Sequence, residues 1–409
     1  MRPFHMARFF TAAVTGLVFA ASLAWPAGAQ PKAVADDVAI ITEDGVTRFE
    51  LSLDRDLAFS VFALADPYRV IIDLPETEFE ITTDAAGSAS GLISAFRFGL
   101  FSPGKSRIVI DTTGPISIAE PVIHKPSADR PARLVVELTS ISREVFLRDF
   151  AMNGISQQIG APPPTVRETI VPQAQRQRNP KPVIVIDPGH GGVDPGAGSR
   201  SGAKEKHLVL EFAKDLAKKL RATGQFKVVL TRSTDVFVRL DRRRQIARES
   251  RADLFVSVHA DSIRMSGIRG ATVYTVSEKA SDEEAAALAA QENRADLIAG
   301  IQLEDISDEV SDILIDLARR NTKKRSIDFA KVLVNKMRSN VKLNRNPHRS
   351  ASFVVLKSAD VPSVLLELGY LSNQQDETAL RSSKWRTKAT SSVLGAVSQF
   401  FAPRLAENQ

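Results

Sequence analysis

Val183-Ile-Val-Ile186, running into Asp187-Pro-Gly-His-Gly-Gly192, is the stretch whose reading decides the fold. Four consecutive apolar residues leave no polar face, as a strand covered on both sides requires, and Asp-Pro-Gly is turn chemistry that ends it. Beyond it, strand patterns over residues 227–231, 254–258 and 363–366 alternate with helical patterns over residues 208–220, 240–249 and 326–338. That alternation predicts an α/β domain with a central sheet flanked by helices. Ligands of such sheets sit beyond the carboxyl ends of the strands. His190, His259 in Ser257-Val-His-Ala-Asp261 and Glu367 in Leu365-Leu-Glu-Leu-Gly369 each fall at or just past a strand end. Three positions distant in sequence can therefore meet on one rim.

Two imidazoles and one carboxylate leave one tetrahedral position of zinc open for water, which is the donor set of a hydrolytic site; a structural zinc is closed by four protein ligands, often cysteines. The chain has no cysteine. Glu367 is the candidate carboxylate to take a proton from water. Each assignment has a plainer alternative. His190 could accept a backbone hydrogen bond in its glycine loop, and Glu367, set in an apolar strand end, could be neutralised by an arginine. Glu205 lies between Lys204 and Lys206, a pattern that equally suits a solvated ion-pair cluster, so the residues alone do not separate it from Glu211. His207, His124 and His348 are read as bystanders.

Upstream the character changes. From residue 38 to 147 short runs alternate apolar and polar, as strands with one buried face do. Arg48-Phe-Glu-Leu-Ser-Leu-Asp54 and Tyr68-Arg-Val-Ile-Ile-Asp-Leu74 are echoed by Arg107-Ile-Val-Ile-Asp111 and Ala132-Arg-Leu-Val-Val-Glu-Leu138. Two similar strand sets predict two small sheets packed face to face. Residues 36–150 are expected to form this β domain and residues 151–181, with Ala161-Pro-Pro-Pro164 and Asn179-Pro-Lys-Pro182, a flexible linker. At the amino terminus Arg2 and Arg8, an apolar run and Ala27-Gly-Ala29 have the form of a cleaved secretion signal over residues 1–29, implying export by the general secretory route. No later stretch is long and apolar enough to span a bilayer. The net charge of +6 loses two arginines and no acid with the leader, too weak a balance to argue for nucleic acid. Without cysteine an exported chain has no disulfides, so its cores alone must hold it.

The front half resembles the AMIN domain, a β-sandwich of envelope proteins, which implies binding to peptidoglycan and placement at the division site. The glycine loop at His190, Asp194-Pro-Gly196, Thr231-Arg-Ser-Thr-Asp235 with Leu240 and Arg242, Ser257-Val-His-Ala-Asp261 and Pro362-Ser-Val-Leu-Leu-Glu-Leu-Gly-Tyr-Leu-Ser-Asn373 resemble the zinc-dependent N-acetylmuramoyl-L-alanine amidases of cell division. The resemblance covers about residues 181–401, with the catalytic domain expected at 182–402. It implies His190, Glu205 and His259 as zinc ligands, Glu367 as the catalytic carboxylate, and cleavage of the amide joining the lactyl group of N-acetylmuramic acid to L-alanine of the stem peptide. A periplasmic enzyme working on septal wall follows from the same likeness.

Residues 280–324 interrupt the α/β alternation. An alanine-rich acidic stretch, Ser281 to Ala290, precedes Ile306, Val310, Ile313, Leu314 and Leu317, spaced as one apolar helix face, with Ser307 as a candidate cap. Division amidases carry such an insert, Glu292-Asn-Arg-Ala-Asp296 and Ile313-Leu-Ile-Asp-Leu317 included, and it resembles their autoinhibitory helix. An acid from it is expected to fill the open zinc position, Glu309 ahead of Glu304, with a LytM-type envelope activator implied as the partner that releases it. The competing readings are another zinc hydrolase of the wall, a peptidase or deacetylase, and an inert wall-binding scaffold.

Overall fold

The computed structural model describes residues 32–81, 89–127, 130–153, 181–263, 267–301 and 313–406. The leader, most of the linker, Ser307, Glu304 and Glu309 lie outside these residues. No helix of the described residues is long and apolar enough to cross a membrane.

The front domain consists of β1 (Ala33–Glu43), β2 (Val46–Leu53), β3 (Ser60–Leu64), β4 (Arg69–Pro75), β5 (Thr77–Phe79), β6 (Ile93–Ser102), β7 (Lys105–Thr112), β8 (Ile116–Ile118), β9 (Val122–His124) and β10 (Ala132–Ser140). They form two sheets, β5-β1-β2-β10-β8 with β9 also on β10, and β3-β4-β7-β6. The inward positions Phe49, Leu51, Leu134 and Val136 of one meet Val70, Ile72, Ile108 and Ile110 of the other, the sandwich that the alternation predicts. The repeats are shared between the sheets: β2 pairs with β10 and β4 with β7, so each sheet takes one strand from each repeat. A terminal helix, α1 (Arg143–Asn153), extends past the expected all-β pattern and buries Phe146 under the sandwich.

In the second domain β11 (Val183–Pro188), α2 (Glu205–Ala222), β12 (Lys227–Leu230), α3 (Leu240–Glu249), β13 (Leu254–His259), β14 (Ala271–Val276), α4 (Glu283–Glu292), α5 (Ala295–Ile298), α6 (Ile313–Arg338), β15 (Leu343–Ala351), β16 (Ser363–Glu367), α7 (Gln374–Arg381) and α8 (Ser383–Ala406) follow in order. The sheet runs β12-β11-β13-β16-β14-β15 and is parallel except where β14 meets β16. Successive residues of its central strands enter opposite cores. Ile184, Val256 and Val364 pack on Phe212, Leu216, Phe329 and Val393 from α2, α6 and α8. Val185, Phe255 and Leu365 pack on Leu240 and Leu288 from α3 and α4. This double burial is why those strands read as unbroken apolar runs. β15 escaped the sequence reading because it is an edge strand with polar residues and Pro347, which an edge tolerates.

One expectation is corrected. The periodicity separates an insert helix ending near residue 317 from another at 326–338, whereas α6 runs unbroken from Ile313 to Arg338, with no glycine or proline to interrupt it.

The outer face of the β3-β4-β7-β6 sheet is not solvated. Leu64, Ile71 and Val109 form a small core with Val193, Phe237 and Ala299 of the second domain. The Phe101 and Phe237 rings stack at 6.0 Å, and the Phe237 amide donates to the Leu100 carbonyl at 3.2 Å.

Phe212, 1% exposed, joins α2 to the sheet. Phe212→Ala is expected to cost about 3–5 kcal/mol. A urea titration should show a lower midpoint at unchanged slope; an unchanged midpoint would mean that the α2 packing contributes little.

Candidate metal centre

Strand register brings the site together. β11, β13 and β16 are adjacent and parallel, with Pro188 beside Val258 and His259 beside Glu367, so the chain leaves all three strands at one edge. His190 lies just beyond β11 with φ of 57°, in the left-handed region that a non-glycine residue seldom occupies, which indicates that its surroundings over-determine it. Those surroundings are two buried arginines. Arg243 donates to the carbonyls of Pro188 and His190 at 2.8 Å each, and Arg232 to those of Pro188 at 3.0 Å and Gly189 at 2.7 Å. Glycine is required nearby for close approach: a Cβ on Gly189 would strike the His259 ring, and one on Gly196 the Glu205 carboxylate and the His190 ring.

The side chains then converge. His190 Nδ1 bonds Asp194 Oδ2 at 2.9 Å, which turns Nε2 inward, 3.1 Å from Glu205 Oε2. His259 Nδ1 is 3.2 Å from Glu205 Oε1, and the two rings stand 4.9 Å apart, nearly perpendicular. Glu205 is the first residue of α2 and wholly buried. Its oxygens accept from the amides of Ala197 at 2.9 Å and Ala260 at 2.7 Å. Its neighbour Lys206 turns the other way, donating to Gly192 O and pairing with Asp235, both at 2.7 Å. Glu211, the alternative carboxylate, lies on the surface and pairs with Arg386. Glu367 makes no arginine pair among the described residues; its Oε2 accepts from the Asp261 amide at 3.1 Å. His207 and His348 take no part in the cluster, and His348 instead bonds Thr275.

Two acids that the sequence reading did not select are also present. Glu292, the last residue of α4, reaches within 3.0 Å of His259 Nδ1 and 3.7 Å of His190 Nε2. Asp261 is fully buried and accepts from Gln291 at 2.6 Å. Glu292 belongs to the stretch Glu292-Asn-Arg-Ala-Asp296, but nothing in that stretch marks it above Glu283, Glu284 or Glu309.

The electrostatics are those of crowded buried carboxyls. Burial, with Asp261 and Glu205 adding like charge, holds the Glu367 carboxyl well above the usual carboxylate range. Burial and Asp261 do the same for Glu292, and burial with Glu205 pushes Asp261 up to about 7. Glu205 goes the other way: burial opposes its charge, but His190 and His259 hold it well below the usual range. Burial also opposes an imidazolium at His190, yet Glu205, Asp194 and Glu292 raise it well above the ordinary histidine value. Four buried polar atoms of this cluster have no hydrogen-bond partner among the described residues: His190 Nε2, His259 Nδ1, Asp261 Oδ2 and Glu367 Oε1. Unpartnered buried groups are costly, and the ligand atoms of His190, His259 and Glu292, like those of Glu205, His259 and Asp261, lie within 4.8 Å of one another, a donor grouping that fits a divalent metal.

Comparison with known proteins gives a consistent result. Residues 184–399 match the family described as N-acetylmuramoyl-L-alanine amidase, and residues 37–141 match the AMIN domain. The N-acetylmuramoyl-L-alanine amidase AmiC of Escherichia coli O6:H1 is 30% identical over 371 residues, covering 87% of this chain and 87% of its own. AmiC of Neisseria meningitidis serogroup B is 31% identical over 87% of this chain and 86% of its own. AmiA of Escherichia coli K12 is 40% identical over 222 residues, 54% of this chain and 76% of its own.

Asp194 meets the cluster through its bond to His190 Nδ1, which sets the orientation of that ring. Asp194→Ala is expected to weaken divalent-metal affinity about 10–100-fold, measured by competition with a chromogenic chelator. Wild-type affinity in this variant would show that the Asp194 bond does not orient His190 for metal.

Proposed function

Because the chain belongs to the N-acetylmuramoyl-L-alanine amidase family, we propose that it hydrolyses peptidoglycan with a zinc ion held by His190, Glu205 and His259, and that Glu292 closes the site at rest. The observation that carries this reading is the buried cluster in which Glu205 lies 3.1 Å from His190 Nε2 and 3.2 Å from His259 Nδ1, two imidazole nitrogens without hydrogen-bond partners among the described residues. Two imidazole nitrogens and a carboxylate are the donor set of a catalytic rather than a structural zinc. When bound, the metal supplies Lewis acidity, acidifying water and polarising the scissile carbonyl.

The chain's own residues do the rest. Asp194 fixes the His190 tautomer, and the amides of Ala197 and Ala260 fix the Glu205 carboxylate. The Asp261 amide holds Glu367 Oε2, leaving Oε1 free to take the proton of the attacking water. As water oxygen joins the lactyl carbonyl carbon of N-acetylmuramic acid and the amide C–N bond breaks, Glu367 passes that proton to the departing nitrogen of L-alanine.

Glu292 supports an autoinhibited resting state, because its carboxylate stands at the point where the two imidazoles converge and where substrate would need access. Glu309 and Glu304, favoured by the sequence reading, lie outside the described residues. A wall hydrolase that idles in an active state would lyse its owner; an activator that binds the displaced insert shifts the population to the open form. A LytM-type envelope protein is the proposed activator. Export to the periplasm by the leader at residues 1–29, recruitment to the septum, and wall binding by the front domain on a linker at residues 151–181 complete the proposal.

The test is mass spectrometry of material released from purified sacculi by the mature protein. Intact stem peptides are expected, lost with chelator and restored by zinc. Glu367→Gln is expected to slow release about 10²–10⁴-fold. Glu292→Ala is expected to raise basal release. Shorter peptides or acetate among the products would identify a peptidase or deacetylase instead, and basal release unchanged by Glu292→Ala would exclude Glu292 as the closing acid.

A further inference from the structure

The repeat Arg-x-Ile-x-Asp73 and Arg-x-Val-x-Asp111, one copy on β4 and one on β7, is not used by the metal centre. Antiparallel register sets the copies against each other: Arg69 lies opposite Asp111, Ile71 opposite Val109 and Asp73 opposite Arg107. Alternation sends all six to the outer face of the sheet, away from the sandwich core. That face meets the insert. Arg69 Nη1 donates to Leu297 O, Arg97 Nε to Ile298 O at 2.7 Å, and Arg107 Nη1 to Ala299 O at 3.2 Å and Gly300 O at 3.1 Å. Three arginines therefore take the four consecutive carbonyls of residues 297–300, at and just beyond the carboxyl end of α5. Ile71 and Val109 fill the space between them, so close to Gly300 that a Cβ there would strike Ile71.

We infer that the outer face of the β3-β4-β7-β6 sheet is a latch that holds the Leu297 to Gly300 segment, and with it the nearby Glu292, in the closed position. The inference rests on the reading of Glu292 as the closing acid. Four residues separate Glu292 from the first latched carbonyl, and the segment between is pinned to the catalytic domain by Asn293 on Val354 N at 2.8 Å and Asp296 on Leu240 N at 3.0 Å. The latch itself is built rather than incidental. Arg107 is held in place by a two-point bond to Asp73, 2.6 and 2.9 Å, and lies 3.7 Å over the Phe101 ring; Arg97 is held by Asp111 at 2.5 and 3.2 Å. Arg69 is 1% exposed, and its other terminal nitrogen has no partner among the described residues. A buried guanidinium satisfied only by backbone carbonyls depends on that contact. The front domain thus acts on catalysis as well as carrying the enzyme: whatever draws this sheet away frees the insert, and by reciprocity release of the insert frees the sheet.

The experiment uses the full mature chain and attacks the contact from both sides. Arg97→Ala removes from the sheet an arginine whose side chain is 18% exposed, and Gly300→Val, at a backbone φ of 71°, forces a side chain against Ile71 from the insert side. Amide hydrogen exchange over residues 283–301 is expected to quicken in both variants, and basal release of stem peptides to rise at least about fivefold. Unchanged exchange in both overturns the latch. Faster exchange with wild-type release, while Glu292→Ala does raise release, overturns its coupling to the site. Unchanged release in Glu292→Ala would instead remove the closing-acid reading, with the exchange result still deciding whether the sheet holds the segment.

Discussion

The catalytic half depends on one buried carboxylate that takes no part in the metal cluster. Asp187, wholly inaccessible, accepts from Thr231 Oγ1 at 2.5 Å and Arg243 at 2.8 Å on one oxygen and from Ser257 Oγ at 2.7 Å on the other. It thereby ties the end of β11 to β13, to the loop after β12 and to α3. Burial opposes its charge, but Arg243 and the two hydroxyls hold it below the usual carboxylate range. Arg243 carries the constraint onward, because the same guanidinium binds the carbonyls of Pro188 and His190. Removing one partner of such a buried pair costs about 3–5 kcal/mol, since the other is left charged and unsolvated. The left-handed backbone at His190 is the visible result of that fixation.

With the loop fixed, the cluster itself is an arrangement of like charges that protein alone does not balance. Glu205, Asp261, Glu292 and Glu367 are all buried about two imidazoles. Three of the four are driven toward the protonated form by burial and by each other, and only Glu205, between the histidines, stays readily ionised. A bound divalent cation would be the largest charge there and would reverse that pressure. In the proposed resting state, closure by Glu292 and its release would be linked to the charge balance of the centre, and the sandwich would reach that balance through the carbonyls after α5.

Much of this was legible before any coordinates. Unbroken apolar runs at 183–186, 254–258 and 363–366 mark strands buried on both faces, and strand-end logic brings His190, His259 and Glu367 to one rim because parallel neighbours end at one edge. Glu205 was legible only through resemblance: sequence cannot say that Lys206 turns to Asp235 while Glu205, one residue away, turns inward, since that depends on how α2 enters the sheet. The edge strand β15 was missed because an edge strand need not be apolar. Glu292 was missed because an acid in an acidic helix carries no local mark of what it faces.

By itself, then, the sequence determined the kinds of element, the two-domain order, the family, and the residue types available to a metal, because periodicity, turn chemistry and motif spacing are local properties of the chain. Only the tertiary structure decided that each sandwich sheet takes a strand from each repeat, that Glu292 among many acids reaches the imidazoles, and that the repeated arginines close on the insert. Each of these is a contact between segments far apart in the chain, selected by register, burial and the pairing of charges, and no local pattern records it.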